Sequence, residues 1–313
     1  MNGSALERLV TGSDGRLWLT DAGLETAMVF LEGLDLPQFA SFTLLDSAKG
    51  RQRMQAYFEG FLDEAAHLGT GFVMDTATWR SNDGWADVMG IPRDRMAAIN
   101  REAVTFAQEV AMPYAAAGVP VVVNGVIGPH GDAYAPDRTL TADEALDYYR
   151  PQVEALAAAG VDMLTGVTLS DVGQAVGIAR AAAEAGLPVV ISFTVETDGR
   201  LVSGMPLAEA VARTDEATGG APLWYMVNCA HPDHFRDSLQ GDWTGRIGGI
   251  RANASRQSHA ELDEATELDD GDPQELARDY VALARLLPRL RVVGGCCGTD
   301  LRHVSAIGHA CIG

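Results

Sequence analysis

A (β/α)8 barrel, formed as a single domain over residues 1–313, is the fold class this sequence predicts, on three observations. Eight short apolar runs recur along the chain, Ala-rich stretches of helical periodicity lie between them, and polar or thiol residues gather where the runs end. The runs are bare rather than alternating, which suits parallel strands buried on both faces.

Taken in order, the expected strands are 17–20 (Leu-Trp-Leu-Thr), 71–75 (Gly-Phe-Val-Met-Asp), 120–124, 161–165, 188–194, 223–228, 246–251 and 291–295. Helical patterning is clearest over 142–159, 172–185 and 273–287. Gly118, Gly160 and Gly186 each follow an Ala-rich segment and precede a strand by a residue or two, the expected helix stop at an αβ junction. A doubly wound sheet is the alternative, but no G-x-G-x-x-G follows the first strand. No Pro/Ser-rich linker or charge block divides the chain, and the acidic stretch 261–272 reads as an exposed connection before the last long helix.

Composition narrows the function classes. A chain of 313 residues, 47% hydrophobic, buries a sizeable core without staples. A net charge of −20 and a pI near 4.6 exclude nucleic acid and an anionic membrane surface as natural partners, and leave small molecules. Lys49 is the only lysine. No apolar run reaches the roughly 18 residues of a membrane span, and residues 1–16 lack a signal peptide's apolar core. Four cysteines in such a length are no disulfide framework, so a reducing cytoplasm is the expected location. The oligomeric state is not legible.

In a barrel the chemistry sits at the C-terminal ends of the strands. Here those ends carry Asp21, Asp75-Thr76, Asn124, Gly166-Val167-Thr168, Glu196, Asn228-Cys229, Asn253 and Cys296-Cys297. Cys229 ends the sixth strand and Cys296-Cys297, set between glycines, end the eighth. They are too far apart in sequence for a local zinc finger and meet only if the barrel brings them together. Three thiolates suit Zn2+, and three protein ligands leave one position for a substrate. A strained redox pair at Cys296-Cys297 is the alternative. Cys311 reads as a small buried hydrophobe. His231 and His234 are weaker ligand candidates, as are His130, His259 and His303.

Gly294-Gly295-Cys296-Cys297-Gly298-Thr299, together with Val227-Asn228-Cys229, resembles the signature of the homocysteine S-methyltransferase family. Asp21-Ala22-Gly23-Leu24 is similar to that family's Asp-Gly-Gly-Leu segment. Asp75-Thr76-Ala77-Thr78 occupies the place of its Thr-Asn-Ser/Thr-Tyr segment, and Val126-Ile127-Gly128-Pro129-His130-Gly131 resembles its Gly-Pro-Tyr-Gly loop. Ala252-Asn253-Ala254 is similar to its Pro-Asn-Ala run. The resemblance implies a barrel whose zinc is held by Cys229, Cys296 and Cys297, and methyl transfer to the thiol of homocysteine, giving methionine. It departs at one place: Val167-Thr168-Leu169-Ser170 stands where the family carries Glu-Thr-Ile-Pro, whose Glu is expected to hold the amino group of homocysteine. Glu25 and Glu196 are the candidate replacements.

The expected substrate-binding residues are therefore Asp21, Gly23, Glu25, Thr76, Trp79, Thr168 and Asn228. A metal-activated thiol attacks the methyl of a sulfonium or quaternary ammonium donor, S-methylmethionine foremost; the leaving group departs neutral, so no general acid is needed. Such a cationic donor favours aromatic faces, and Trp79 and Phe42 are the candidates. A different thiol acceptor, and a non-catalytic zinc or redox protein, are the competing readings. No methyl-carrier module is expected after the cysteine pair, where the chain soon ends.

Overall fold

The computed structural model describes residues 3–312 apart from 135 and 137. Its eight strands are β1 (Trp18–Leu19), β2 (Gly71–Asp75), β3 (Val121–Ile127), β4 (Met163–Leu169), β5 (Val189–Phe193), β6 (Tyr225–Asn228), β7 (Ile247–Ala252) and β8 (Val292–Gly295). They pair in parallel in sequence order. β8 returns to β1 through Trp18↔Val292 and Leu19↔Val293, which closes the barrel. Long helices, among them Ala48–Leu68, Arg93–Ala116, Ala142–Ala159 and Val172–Glu184, cover its outside.

Local sequence explains the junctions. Thr141 and Glu144 form a reciprocal capping box at the start of Ala142–Ala159, and Gly160 ends it at φ 85°, a conformation that favours glycine. All eight expected strands are present, with β2 at the expected bounds. β3 and β4 run on to Ile127 and Leu169, past the ends at 124 and 165 that the apolar runs suggest: Val126 pairs with Thr165, and Leu169 pairs with Phe193 across an irregularity after Gly166. β1 keeps only two residues.

Period-two alternation divides each strand between two cores. Phe72, Leu164 and Ile191 face the helices. Val73, Val122, Met163, Val190, Met226 and Val292 form a separate inner cluster, plugged at the N-terminal end by Ala5 and Leu9 of the helix Gly3–Thr11. Further along the inner face the side chains turn polar and bond to each other. Asn124 Nδ2 donates to Asp75 Oδ1 (2.7 Å), Thr165 Oγ1 to Asn124 Oδ1 (2.9 Å) and Ser192 Oγ to Asn228 Oδ1 (2.6 Å). The barrel thus has an apolar floor and a hydrogen-bonded polar layer above it, beneath the strand ends. Among the described residues no helix is long and apolar enough to cross a membrane.

Candidate active site

β7 lies between β6 and β8 in the barrel, and its end holds both thiol segments. Cys229 N donates to Arg251 O (3.1 Å) and Cys296 N to Ala252 O (2.9 Å). Cys229 Sγ then stands 2.8 Å from Cys296 Sγ and 3.5 Å from Cys297 Sγ. Cys229 (φ 56°) and Thr168 (φ 59°) both take left-handed backbone, which is strained for residues with a Cβ and is found where surrounding structure fixes it. Gly23 serves close approach: a Cβ there would lie 2.6 Å from the Cys296 carbonyl oxygen. Hydrogen bonds from Cys229 and Cys297, with Arg251 nearby, pull the Cys296 thiol below its usual range, while contacts with Cys229 and Cys296, together with burial, push Cys297 up.

The donor set fits zinc. The three sulfurs lie within 4.8 Å of one another, and among the described residues no fourth Cys, His, Asp or Glu joins them. Sulfurs around a tetrahedral Zn2+ stand about 3.8 Å apart, so sub-ångström to ångström-scale opening of the present spacing accommodates the ion.

The thiols lie in a cavity of about 690 Å3 at the C-terminal end of the barrel. Asp21, Gly23, Glu25, Thr76, Trp79, Thr168 and Asn228 all line it, as does Val167. Asn228 is buried and fully engaged. Its Oδ1 accepts from Thr168 N (2.9 Å) and Ser192 Oγ, and its Nδ2 donates to Thr168 Oγ1 (2.8 Å) and weakly to Cys296 Sγ (3.9 Å). It ties β4 and β5 to the thiol cluster. Thr76 Oγ1 accepts from Val126 N (3.1 Å) and shares a hydrogen bond with Thr78 Oγ1. Trp79 packs over Gly128, whose N–H donates to the Trp79 carbonyl (3.0 Å). Glu25 Oε1 accepts from Ser41 Oγ (2.7 Å), and burial raises its pKa.

Asp21 is not alone. Arg251 Nη2 lies 2.6 Å from Asp21 Oδ1, Arg251 Nη1 pairs with Asp75, and Tyr57 donates to Asp21 Oδ2 (3.2 Å). Burial pushes Asp21 up to about 7 against the pull of Arg251. Burial works against the Arg251 charge too, but the two carboxylates hold it protonated. Sequence reasoning gave Arg251 and Tyr57 no role. The signal for Arg251 was present as a charged residue closing an otherwise apolar strand; Tyr57, on an outer helix, had none. Arg80, Trp85 and Tyr134 were likewise missed, and all three line the cavity.

Other candidates lie elsewhere. Glu196 does not line the cavity, and Phe42 is buried in the outer core. His231 gathers with Asp233 and Asp279 as a second group of possible ligands, separate from the thiols. There Arg256 pairs with Asp233 (2.7 Å) and Arg236 with Asp279 (2.6 Å), so the carboxylates already have cations. His234 bonds the Arg256 carbonyl, His130 stacks edge-on against Tyr148, and His303 bonds the Asp270 carbonyl. Of the histidines considered, His259 alone reaches the cavity, stacked on Tyr134 at 4.0 Å. Cys311 packs against the outer core. The acidic stretch, expected as a mere connection, forms one wall: Asp263, Glu267 and Asp269 line the cavity.

Comparison with known proteins gives one consistent picture. The profile described as homocysteine S-methyltransferase matches residues 17–311. The homocysteine S-methyltransferase YbgG of Bacillus subtilis is 26% identical over 203 residues, 59% of this chain and 60% of its own length. Two crystal structures of the homocysteine methyltransferase MmuM of Escherichia coli share the fold. The oxidized form superposes with a TM-score of 0.77 and the metallated form with 0.74; each is 21% identical and covers 98% of this chain and 99% of the other.

Proposed function

This chain belongs to the homocysteine S-methyltransferase family, and from that premise we propose that its cavity transfers a methyl group from a sulfonium or quaternary ammonium donor to the thiol of homocysteine, giving methionine. The observation that carries the reading is the set of three thiols at the base of the cavity with no fourth protein ligand among the described residues. On this reading residues 1–313 act as one catalytic domain, Cys229, Cys296 and Cys297 hold zinc, and S-methylmethionine is the first donor to try. On this reading the protein works in a reducing cytoplasm, where its thiols stay available to a metal.

A zinc ion on these thiolates would supply one thing, a lowered pKa for the acceptor thiol, whose free form is mostly protonated at neutral pH. The chain's own residues do the rest. Asn228 ties the end of β4 at Thr168 to β5 and touches Cys296. Glu25, the candidate of the two that reaches the cavity, takes the acceptor's ammonium in place of the glutamate that Val167 replaces. Asp263, Glu267 and Asp269 favour a cationic donor, and Trp79 offers it an aromatic face. In the transfer, a bond forms between the acceptor sulfur and the methyl carbon as the donor's bond to that carbon breaks; the onium group leaves neutral, so no general acid is required. Alignment of sulfur, methyl and leaving group supplies several kcal/mol.

The deciding assay sets zinc-loaded protein against a panel of thiols and methyl donors, beside Cys297→Ser. Turnover of homocysteine that depends on zinc and collapses in Cys297→Ser is expected; undiminished turnover in the variant rejects the metal mechanism. A second reading, the same chemistry on a different thiol, is favoured by buried Val167 in the cavity wall. Zinc-dependent activity on other thiols without homocysteine turnover would select it.

A further inference from the structure

Two arginines line the cavity, and they are held very differently. Arg251 is locked between Asp21 and Asp75. Arg80 has no salt bridge to any described carboxylate. Its guanidinium carbon lies over two tryptophan rings, 4.0 Å from the Trp85 ring centroid and 4.7 Å from that of Trp79. Among the described residues its hydrogen-bond acceptor is the Gln38 carbonyl, which takes one of five N–H donors. With the tryptophan rings packed against its planar group, the N–H edge of the fork is the part left for a ligand, and that edge matches the two oxygens of a carboxylate.

The neighbours give the arrangement a direction. Glu25 feels both the charge of Arg80 and that of Cys296. Thiol cluster, carboxylate and guanidinium thus share one cavity, with the carboxylate within electrostatic reach of both others. Asp132 also favours the Arg80 charge, and burial opposes it. A sulfur, an ammonium and a carboxylate are the three groups that an α-amino acid with a side-chain thiol or sulfonium presents.

Resting on the methyl-transfer reading, we propose that Arg80 is the specificity residue that binds the α-carboxylate of an amino-acid substrate. That carboxylate belongs to the acceptor or to the donor, and each arm of the test addresses one source. The acceptor arm compares homocysteine with its decarboxylated analogue, an aminopropanethiol. The donor arm compares S-methylmethionine with its decarboxylated sulfonium. Each ligand is titrated into zinc-loaded wild type, Arg80→Gln and Arg80→Lys. Binding is followed by calorimetry and by the fluorescence of Trp79 and Trp85, and KM and kcat are measured where turnover occurs.

In Arg80→Gln the affinity for one carboxylate-bearing substrate is expected to fall about 10- to 100-fold, with that for its decarboxylated analogue unchanged and kcat little altered. Arg80→Lys, a point charge without the fork, should recover only part of the loss. Which arm responds names the source. Equal losses for a substrate and its analogue, as from a misfolded variant, or no loss in either arm, would overturn the proposal. The methyl-transfer reading fails separately, through absence of turnover with every thiol and donor in the wild type.

Discussion

Arg251 Nη2 lies 2.6 Å from Asp21 Oδ1 across the closure of the barrel, and the same guanidinium pairs with Asp75. All three side chains are almost wholly buried, at 13%, 4% and 9% exposure. Removing one partner of such a group leaves uncompensated buried charge, which costs about 3–5 kcal/mol. Arg251→Met is therefore expected to lower unfolding free energy by about that much in chemical denaturation. Adding Asp21→Asn and Asp75→Asn to it should recover a good part of the loss. A single variant within about 0.5 kcal/mol of wild type would contradict the assignment.

The charge count of that group sets a pH dependence. One guanidinium balances one carboxylate, and the other is free to hold a proton. Asp21, pushed up by burial, titrates near 7 in the folded protein and near 3.8 when unfolded. Between those values the folded state holds a proton that the unfolded chain has released. Its contribution to stability is complete below about 3.8 and is lost as pH rises through about 7. Glu25, also raised by burial, acts in the same direction. Metal-free wild type should lose more stability between pH 5 and pH 8 than Asp21→Asn does; equal losses reject this titration.

These relationships mark the boundary of what the sequence reveals. Every strand was legible, because burial on both faces writes itself into short apolar runs such as Phe72-Val73-Met74. The thiol site was legible because β6 and β8 flank one strand in a barrel whose strands run in sequence order, so Cys229 and Cys296 end on neighbouring parts of its rim. Arg251 and Asp21 are 230 residues apart, and neither carries a local pattern that points to the other. Arg80 likewise gains its meaning from Trp85, in the helix Asp83–Met89, and from the Gln38 carbonyl. Acidic residues 261–272 are largely exposed, as their composition suggests, but composition does not show that Asp263, Glu267 and Asp269 also line the cavity.

Thr168 combines strain with a hydrogen bond, and two substitutions separate them. Its left-handed backbone, at φ 59°, costs about 1–3 kcal/mol for a β-branched residue. The bond from Asn228 Nδ2 returns about 0.5–1.5 kcal/mol. Thr168→Ala loses the bond and keeps most of the strain, whereas Thr168→Gly loses the bond and relieves it. The glycine variant is expected to be more stable than the alanine variant by about 1 kcal/mol or more. Denaturation midpoints in the reverse order would place the strain elsewhere.

Glu25 and Val167 make the last expectation. Both line the cavity, yet only Glu25 can meet an ammonium group. One of its oxygens accepts from Ser41, and burial raises its pKa, so a bound ammonium would restore the charge that burial disfavours. Glu25→Gln should raise KM for homocysteine about 10- to 100-fold while leaving its deaminated analogue, a mercaptobutyrate, unaffected. Val167→Glu in that background sets a carboxylate at the position corresponding to the family's glutamate, and is expected to restore part of the discrimination. If Glu25→Gln treats the two thiols alike and Val167→Glu alone tightens homocysteine, the amino group is not held by Glu25. The wild-type cavity would then suit a thiol that has no ammonium to hold.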